Sequence, residues 1–442
     1  MPVPSRSVAI ILLLVAGSLL LLACASPPPF PNPLAPSPTP TPTVTPTPTP
    51  ILSPTEEPKG TATPAVINLV WWTPAWFSPN AHDPAGELLA QRIQAFEEAN
   101  PNIRVQVLTK LPSGKGGITD YLQGAYRVAP SLLPDVVMID LQDLPTLSGL
   151  GILQPLDGLL PESIVQDLYP VALQAGVVDN ALVAVQFEAN FFHVAYLPEQ
   201  VPSVPATWES LLNADTPYLT WIFTTVDDVS DVVVFQYVAS GGELPGAETP
   251  PLDEQVLFSL FNFYDQIFRR GVVPEQAREP LMADVLWSAL QRGDVAMVDV
   301  SARRYLREGV SQANIAAAPL PTWDGQPRAL TRGWGIAITT SDPARREAAL
   351  AFMAWLLAPE TLGPWSQSAG YIPTRRSALA SWNVPSTYRD TLDVLLQNAI
   401  PYPAHAAVAS LRHALTAGLQ ALLQEGVSPE EAVQRARETY TP

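Results

Sequence analysis

The chain has 442 residues, 47% of them hydrophobic, and carries a formal net charge of −18 without any cluster of lysine or arginine. This acidic charge repels phosphate backbones and anionic lipid surfaces, so it argues against nucleic acid as a partner and against direct adsorption to a membrane. The chain is long enough to form two domains, each with a hydrophobic core of its own.

The N-terminal segment is typical of a lipoprotein signal peptide. An apolar run from Val8 to Leu22 ends just before Cys24, the only cysteine of the chain. At about 15 residues this run is too short to cross a bilayer comfortably, and the small Ala23 suits a processing site. We therefore expect residues 1–23 to be removed and Cys24 to carry acyl chains. An uncleaved anchor helix with a stray cysteine is the alternative.

The segment that follows Cys24 is rich in proline and threonine up to about residue 64. Proline fixes φ and removes backbone donors, so residues 24–65 are expected to form an extended linker. At roughly 3.1 Å per residue, this linker could hold a folded part as far as roughly 100 Å from the lipid. Because no cysteine remains after Cys24, neither a disulfide nor a cysteine-type zinc site is expected.

From residue 66 onward, strand-like and helix-like segments alternate. The first half predicts strands at 66–72, 103–107 and 135–139, separated by helices over 88–98 and 120–128. This order is typical of a parallel sheet covered by helices. The second half predicts strands within 182–196 and at 295–298 and 333–338, and helices over 208–212, 257–268, 345–357, 408–423 and 429–439. The fold class is therefore α/β, and this many elements require two lobes.

Nine short phrases occur in a characteristic order across the chain. They are FEEANPNI at 96–103, PDVV at 134–137, GILQPLD at 151–157, PATWESL at 205–211, GDVAM at 293–297, APLP at 318–321, GWGIAI at 333–338, GYIPTR at 370–375 and SPEEA at 428–432. Together they resemble the extracellular solute-binding proteins of ABC importers, in particular the sugar-binding family that includes maltose-binding protein. The resemblance also requires an N-terminal lipoprotein signal peptide followed by a linker.

The resemblance implies a two-lobed fold like that of type II periplasmic binding proteins, which closes on a ligand in the cleft between the lobes. Lobe one would comprise residues 66–187 and 333–366, and lobe two residues 188–332 and 367–442. The chain would cross between them near 187–192, 321–333 and 367–371. The implied function is that of an extracytoplasmic monomer that captures a mono- or oligosaccharide and delivers it to the permease subunits of an importer.

Sugar sites combine aromatic surfaces, for the apolar face of the ring, with planar polar side chains for the hydroxyls. Trp72 lies at the carboxyl end of the first predicted strand, where open parallel sheets bind ligands, although a core position is the alternative. Asp140 and Gln142 follow the third strand, and a solvated loop would explain them equally well. Glu188 and Asn190 fall within the first crossing, where side chains must face the cleft or the hinge.

The other crossings supply further candidates. Trp334 stands between two glycines, which allow close backbone approach, and Tyr371 lies at the third crossing. The resemblance also places part of the site near Tyr402. Where the family usually has an aromatic residue, this chain has Arg303 and Arg304. A guanidinium at the cleft would favour a carboxylate or phosphate ligand, whereas pairing with surface carboxylates is the alternative.

No motif of a common hydrolase or nucleotide-binding site occurs: H-E-x-x-H, G-x-S-x-G and G-x-x-x-x-G-K-[ST] are all absent. A lone histidine such as His405 is more often a packing residue than a ligand. We therefore predict a binding protein that is not an enzyme and has no cofactor or metal. One alternative is a secreted glycoside hydrolase, which needs only two carboxylates about 5–10 Å apart. Another is a sensory or adhesive lipoprotein that is not coupled to import.

Overall fold

The computed structural model describes residues 66–245 and 251–441. The expected signal peptide, Cys24 and the linker lie outside these residues. The strands are β1 Ile67–Pro74, β2 Ile103–Lys110, β3 Val136–Asp140, β4 Val177–Val178, β5 Ala181–Leu182, β6 Ala184–Gln186, β7 Glu188–Ala189, β8 Phe192–Tyr196, β9 Tyr218–Leu219, β10 Phe223–Thr225, β11 Asp228–Val229, β12 Met297–Ser301, β13 Ala316–Ala318, β14 Ala329–Thr331, β15 Trp334–Ile338, β16 Ile372–Pro373 and β17 Ala399–Pro401.

The α-helices are α1 Pro84–Ala99, α2 Ile118–Val128, α3 Leu144–Gly149, α4 Glu162–Val165, α5 Pro170–Gln174, α6 Trp208–Leu212, α7 Asp231–Ala239, α8 Glu254–Arg269, α9 Ala283–Arg292, α10 Ala302–Arg304, α11 Pro343–Leu357, α12 Pro359–Ala369, α13 Arg376–Ala380, α14 Ser386–Gln397, α15 His405–Gln420 and α16 Pro429–Thr439. Single turns of 3₁₀-helix occur at Ala75–Phe77, Pro130–Leu132, Leu141–Asp143 and Glu275–Arg278, and π-helical turns at Tyr305–Gly309 and Ala421–Glu425. Within the part of the chain that the structure describes, no helix combines the length and the apolar character that crossing a bilayer requires.

The first sheet has the strand order β2-β1-β3-β15-β6. β1 runs parallel to β2 and β3, whereas β15 runs antiparallel to both of its neighbours, β3 and β6. Strands β1, β2, β3 and β6 therefore share one direction, and the prediction of a parallel sheet is correct for them. β15 is reversed because it enters the sheet from the edge at which the others end. That edge is where β3 finishes at Asp140, opposite Trp334.

Both faces of the first sheet are covered. Trp71 packs on one face with Phe96 of α1 and Phe352 of α11. The next residue, Trp72, packs on the other face with Leu122 of α2 and with Leu147. Alternate residues of a strand point to opposite faces, and a sheet covered on both faces buries both sets.

The second sheet has the order β13-β8-β12-β9 and a hydrophobic core of its own. β12 is antiparallel to β8, so that Ser301 at the end of β12 lies opposite Phe192 at the start of β8. Helices α7, α8 and α15 each contribute several buried residues to the core around this sheet. Helix α7 has no counterpart among the sequence-based predictions. It is apolar on nearly every side, so it lacks the polar face that reveals a helix by its periodicity.

Short segments connect the two sheets and pair with one another. The N–H of Asn190 donates to the carbonyl of Arg332 at 2.9 Å, and the N–H of Arg332 donates back to Asn190 at 2.9 Å. β16 pairs with β7, which places Pro373 opposite Glu188. At Gly333 a Cβ atom would lie 2.1 Å from the carbonyl oxygen of Glu188, so only glycine allows these segments to approach so closely.

Candidate functional site

A cavity of about 200 Å³ lies where these connecting segments meet the ends of β3 and β12. Seven of the nine residues expected to bind the ligand line it: Asp140, Gln142, Glu188, Asn190, Arg303, Trp334 and Tyr371. Arg332, Gly333 and His405 complete the lining. The structure thus brings together residues that are far apart in the sequence, and their part in ligand binding remains a prediction.

Trp72 does not line this cavity. Its side chain is only 5% exposed and lies among the apolar residues on one face of the first sheet. Its ring meets Tyr121 edge-on at 6.3 Å, and the ammonium group of Lys110 lies 4.7 Å from its ring centre. This placement agrees with the core position that the sequence left open for this tryptophan.

Tyr402 also lies outside the cavity lining, behind one of its walls. The guanidinium group of Arg332 covers its ring at 3.8 Å, and Nη1 of Arg412 donates to its hydroxyl group at 2.8 Å. Tyr402 therefore supports a residue of the cavity rather than facing the cavity itself.

Glu188 is the most deeply buried carboxyl group of the cavity, with 2% of its surface exposed. Its Oε1 accepts a hydrogen bond from the backbone N–H of Trp334 at 2.9 Å, whereas its Oε2 has no hydrogen-bond partner among residues 66–245 and 251–441. Burial raises the pKa of Glu188 to about 8; the Trp334 N–H and the charge of Arg303 lower it, and Asp140 raises it further. At neutral pH this side chain is mainly a neutral acid, which can donate a hydrogen bond as well as accept one.

Arg303 is a cation of the cavity without an acidic partner. Among the described residues it forms no salt bridge, and its buried Nε lacks a hydrogen-bond partner. Its guanidinium group lies 4.2 Å from the ring centre of Tyr371, and its backbone N–H donates to Oδ1 of Asn190 at 3.2 Å. Such a group can donate to hydroxyl or carboxylate oxygens of a ligand.

The neighbouring Arg304 points elsewhere. It pairs with Asp284 and lies 3.8 Å from Oε2 of Glu308. Consecutive residues of a helix do not share a face, so in α10 one arginine lines the cavity while the next reaches surface carboxylates. Arg304 therefore follows the surface-pairing alternative, whereas Arg303 lines the cavity and its binding of a ligand stays a prediction.

Asp140 and Gln142 form the wall at the end of β3. Oδ1 of Asp140 accepts from the backbone N–H of Gln142 at 3.0 Å. Burial raises the pKa of Asp140, the Gln142 N–H lowers it, Asp143 raises it, and the charges of His405 and Arg332 lower it. The carboxyl group of Asp140 lines the same cavity as the guanidinium groups of Arg303 and Arg332.

Arg332 also lines the cavity and is held by one acidic neighbour, Asp231. Its Nε and Nη2 donate to the two carboxylate oxygens of Asp231 at 2.5 and 2.8 Å, and its Nη1 donates to Oε1 of Gln142. Nε2 of Gln142 in turn donates to the carbonyl of Pro403 at 3.2 Å. Gln142 follows β3 of the first sheet, so its bonds to Arg332 and Pro403 join the first sheet to segments that pack near the second core. Because Asp231 neutralises Arg332, Arg303 is the less compensated of the two guanidinium groups.

Sequence reasoning missed Arg332 and assigned His405 to packing, yet both line the cavity. A signal was present for Arg332, since it directly precedes the Gly333–Trp334 pair at the second crossing. His405 begins α15, and only the arrangement of that helix brings it to the cavity.

The cavity offers a defined set of chemical groups. Carboxyl, amide and guanidinium groups surround it, and Trp334 and Tyr371 supply aromatic surface. Such a lining fits a small polar molecule with several hydroxyl groups and an apolar face.

Three solved structures illustrate what the fold is similar to. The cyclic α-maltosyl-1,6-maltose binding protein of Arthrobacter globiformis is 16% identical, with a TM-score of 0.67 over 85% of this chain and 98% of that chain. A family 1 extracellular solute-binding protein of Bifidobacterium longum subsp. infantis is also 16% identical, with a TM-score of 0.66 over 85% and 99%. The maltose-bound MalE3 of T. maritima is 18% identical, with a TM-score of 0.60 over 84% and 98%.

At these identities the similarity shows the fold, which is two-lobed and of the periplasmic-binding type, as expected from the sequence. No curated protein matches the sequence. The sequence profile of the bacterial extracellular solute-binding proteins matches residues 91–388, which is more than half of the chain. The chain therefore belongs to the family of bacterial extracellular solute-binding proteins.

Proposed function

We propose that this protein is the receptor of an ABC importer, which captures a mono- or oligosaccharide by closure of its two lobes and delivers it to the permease. Lobe one comprises residues 66–187 and 333–366, and lobe two residues 188–332 and 367–442. Support comes from the two sheets, each with its own core, and from the short segments at 187–191 and 332–333 that connect them. Few backbone angles would have to change for the lobes to move apart.

The observation that carries the proposal is the presence of unpartnered polar atoms in the cavity. Oε2 of Glu188 and Nε of Arg303 are both buried without a hydrogen-bond partner in the part of the chain that the structure describes. A buried polar group left unpaired costs about 1–3 kcal/mol, and ligand hydroxyl groups would remove this cost. Trp334 and Tyr371 would meet the apolar face of a sugar ring. Neighbours of the same fold are described as bound to maltose, maltotetraose and α-D-tagatose.

The size of the cavity favours a single sugar ring at its centre. A volume of about 200 Å³ equals roughly seven water molecules at about 30 Å³ each. A second cavity of about 440 Å³ shares Arg332 and His405 with the first. A longer saccharide would extend in this direction, past the ion pair of Arg332 and Asp231.

Ligand capture is tested by thermal shift of the purified protein against mono- and oligosaccharides, because a ligand that binds only the folded state raises Tm with its concentration. Glu188→Ala and Trp334→Ala should each weaken binding without unfolding the protein. Glu199→Gln, at an exposed position away from the cavity, is the matched control. Unaltered affinity in both cavity variants would mean that the ligand binds elsewhere.

Binding without turnover follows from the same proposal. Family membership supports it, since the family comprises solute-binding proteins. The protein should be incubated with a panel of glycosides and the products separated by chromatography. Release of shortened saccharides would favour a glycoside hydrolase that uses Asp140 and Glu188.

The family is extracellular, so the protein functions outside the cytoplasm. The finer proposal is that Cys24 carries the lipid anchor, that residues 24–65 act as a spacer, and that the protein is a monomer. Metabolic labelling with a fatty acid should label the wild type but not Cys24→Ser, which should appear in the soluble fraction. Retention of label in Cys24→Ser would contradict the proposed anchor.

A further inference from the structure

Trp323 is the most exposed of the chain's 11 tryptophans, with 59% of its surface accessible. It follows Thr322 in the loop between β13 and β14, and it does not line the cavity around Glu188. Leaving an indole ring in water forgoes the hydrophobic free energy that its burial would provide. This exposure therefore requires an explanation.

The backbone that carries Trp323 is held firmly. The N–H of Thr322 donates to the carbonyl of Ala206 at 3.0 Å, and the N–H of Trp208 donates to the carbonyl of Thr322 at 3.0 Å. On the other side of Trp323, Arg328 donates to both carboxylate oxygens of Asp324 at 3.0 and 2.7 Å. The exposed ring is thus presented by an ordered loop.

Side-chain contacts also orient the indole. Its ring meets the edge of Trp208 at 5.7 Å with an interplanar angle of 79°. Trp208 is itself stacked on Phe263 at 4.3 Å and 11°, and its Nε1 donates to Gln236 at 2.9 Å. A ring fixed in this way loses little conformational freedom when a ligand binds.

Two cavities meet at Trp323, with volumes of about 460 and 190 Å³. The larger is lined by Glu209, Asn262 and Arg270 among others, and the smaller by Asp253 and Gln255. Within the described residues, the side chains of Glu209 and Asn262 form no hydrogen bond or ion pair. Glu209 and Asn262 are therefore available to bind hydroxyl groups beside one aromatic surface, whereas Nη1 of Arg270 already donates to Oδ1 of Asn213 at 3.2 Å and Oδ1 of Asp253 accepts from the N–H of Gln255 at 2.8 Å.

We propose that Trp323 and the polar side chains of these two cavities form a second carbohydrate-binding site, on the surface of the protein and separate from the cavity around Glu188. Polar side chains stand beside the aromatic rings in both cavities, which does not suit a purely hydrophobic partner, and the carboxylates of Glu209 and Asp253 oppose nucleic acid. A sugar ring matches it, because its apolar face covers the indole while its hydroxyl groups reach the amides and carboxylates. A saccharide chain held at this surface site would raise the effective concentration of sugar at the cavity around Glu188.

The test measures oxidation of individual tryptophans by N-bromosuccinimide, located by peptide mass spectrometry on the full protein. The probes are linear tetrasaccharides of α-1,4-glucose, β-1,4-glucose, β-1,4-xylose and β-1,4-mannose. At least one of these tetrasaccharides should slow the oxidation of Trp323 by about fivefold. This is the slowing expected when about 80% of the sites are occupied and only the free site is oxidised. Asn262→Ala should abolish that protection. Phe258→Ala is the matched control, since Phe258 is exposed on the same helix but lines neither cavity.

The same experiment separates this site from the proposed receptor function, because Trp334 reports on the cavity around Glu188. Protection of Trp323 that survives Phe258→Ala and is lost in Asn262→Ala supports the surface site, whatever happens at Trp334. Protection of Trp334 alone would overturn the surface site and leave the receptor function standing. Equal oxidation of Trp323 with and without every tetrasaccharide would likewise overturn it, as would equal loss of protection in both variants.

Discussion

Replacement of Glu188 by glutamine should reveal the electrostatic cost of burying this carboxyl group. Its pKa is raised from the ordinary 4.5 to about 8, mainly by burial. Between these two values the folded protein holds a proton on Glu188 that the unfolded chain has released. The contribution of Glu188 to the free energy of unfolding therefore falls as pH rises, by about 1.4 kcal/mol per pH unit, and this decline ends near pH 8.

Between the two pKa values, the ionisation of Glu188 in the unfolded chain lowers the free energy of unfolding by about 5 kcal/mol in total, since each pKa unit corresponds to about 1.4 kcal/mol. Glu188→Gln keeps the shape of the neutral acid and can still accept from the N–H of Trp334, but it cannot ionise. The free energy of unfolding of the variant, minus that of the wild type, should therefore grow by about 5 kcal/mol between about pH 4.5 and pH 8 and then remain constant.

Urea unfolding of both proteins at a series of pH values measures this difference, and the other titrating groups cancel in the comparison. Glu199→Gln, at an exposed position away from the cavity, is the matched control. In infrared difference spectra, the carbonyl band of a protonated acid should disappear in Glu188→Gln and titrate near pH 8 in the wild type. A difference in stability that stays constant from pH 5 to pH 8 would contradict the raised pKa of Glu188.

Gln142→Ala removes two hydrogen bonds across the cavity, each worth about 1 kcal/mol. Without ligand, Gln142→Ala should have a larger radius of gyration than the wild type in small-angle scattering. A radius of the wild type that stays unchanged when saturating ligand is added would contradict lobe closure. Arg375→Ala leaves the carboxylate of Asp167 without its 2.7 Å ion pair, which should lower the free energy of unfolding by about 3 kcal/mol; a loss below about 1 kcal/mol would show that the pair is dispensable. Gly333→Ala should cost about 2 kcal/mol through overpacking against the Glu188 carbonyl, and an unchanged Tm would contradict that close contact.

The secondary structure around the site could be predicted because its local signals are strong. The apolar run before Asp140 and the Gly-Trp-Gly phrase at Trp334 predicted two strands, and both are confirmed. Helix α6 occurs over the predicted residues because Thr207 and Ser210 form a capping box at its start. The strand predicted at 295–298 is instead Met297–Ser301, since a run of apolar residues does not define its own ends.

Ordered phrases and strand periodicity are local properties of the chain, so the sequence alone was enough to recognise the family and the strands that lead to the site. Which of these side chains share one cavity depends on contacts between distant parts of the chain and became visible only in the folded protein. Trp72 faces the core although the sequence predicted the end of the first strand there, because β1 continues to Pro74 and the sheet is covered on both faces. Arg303 reaches the cavity while Arg304 does not, because a helix turns its next residue away. The pairing of Arg332 with Asp231 joins residues about 100 positions apart, and no local pattern records such a contact.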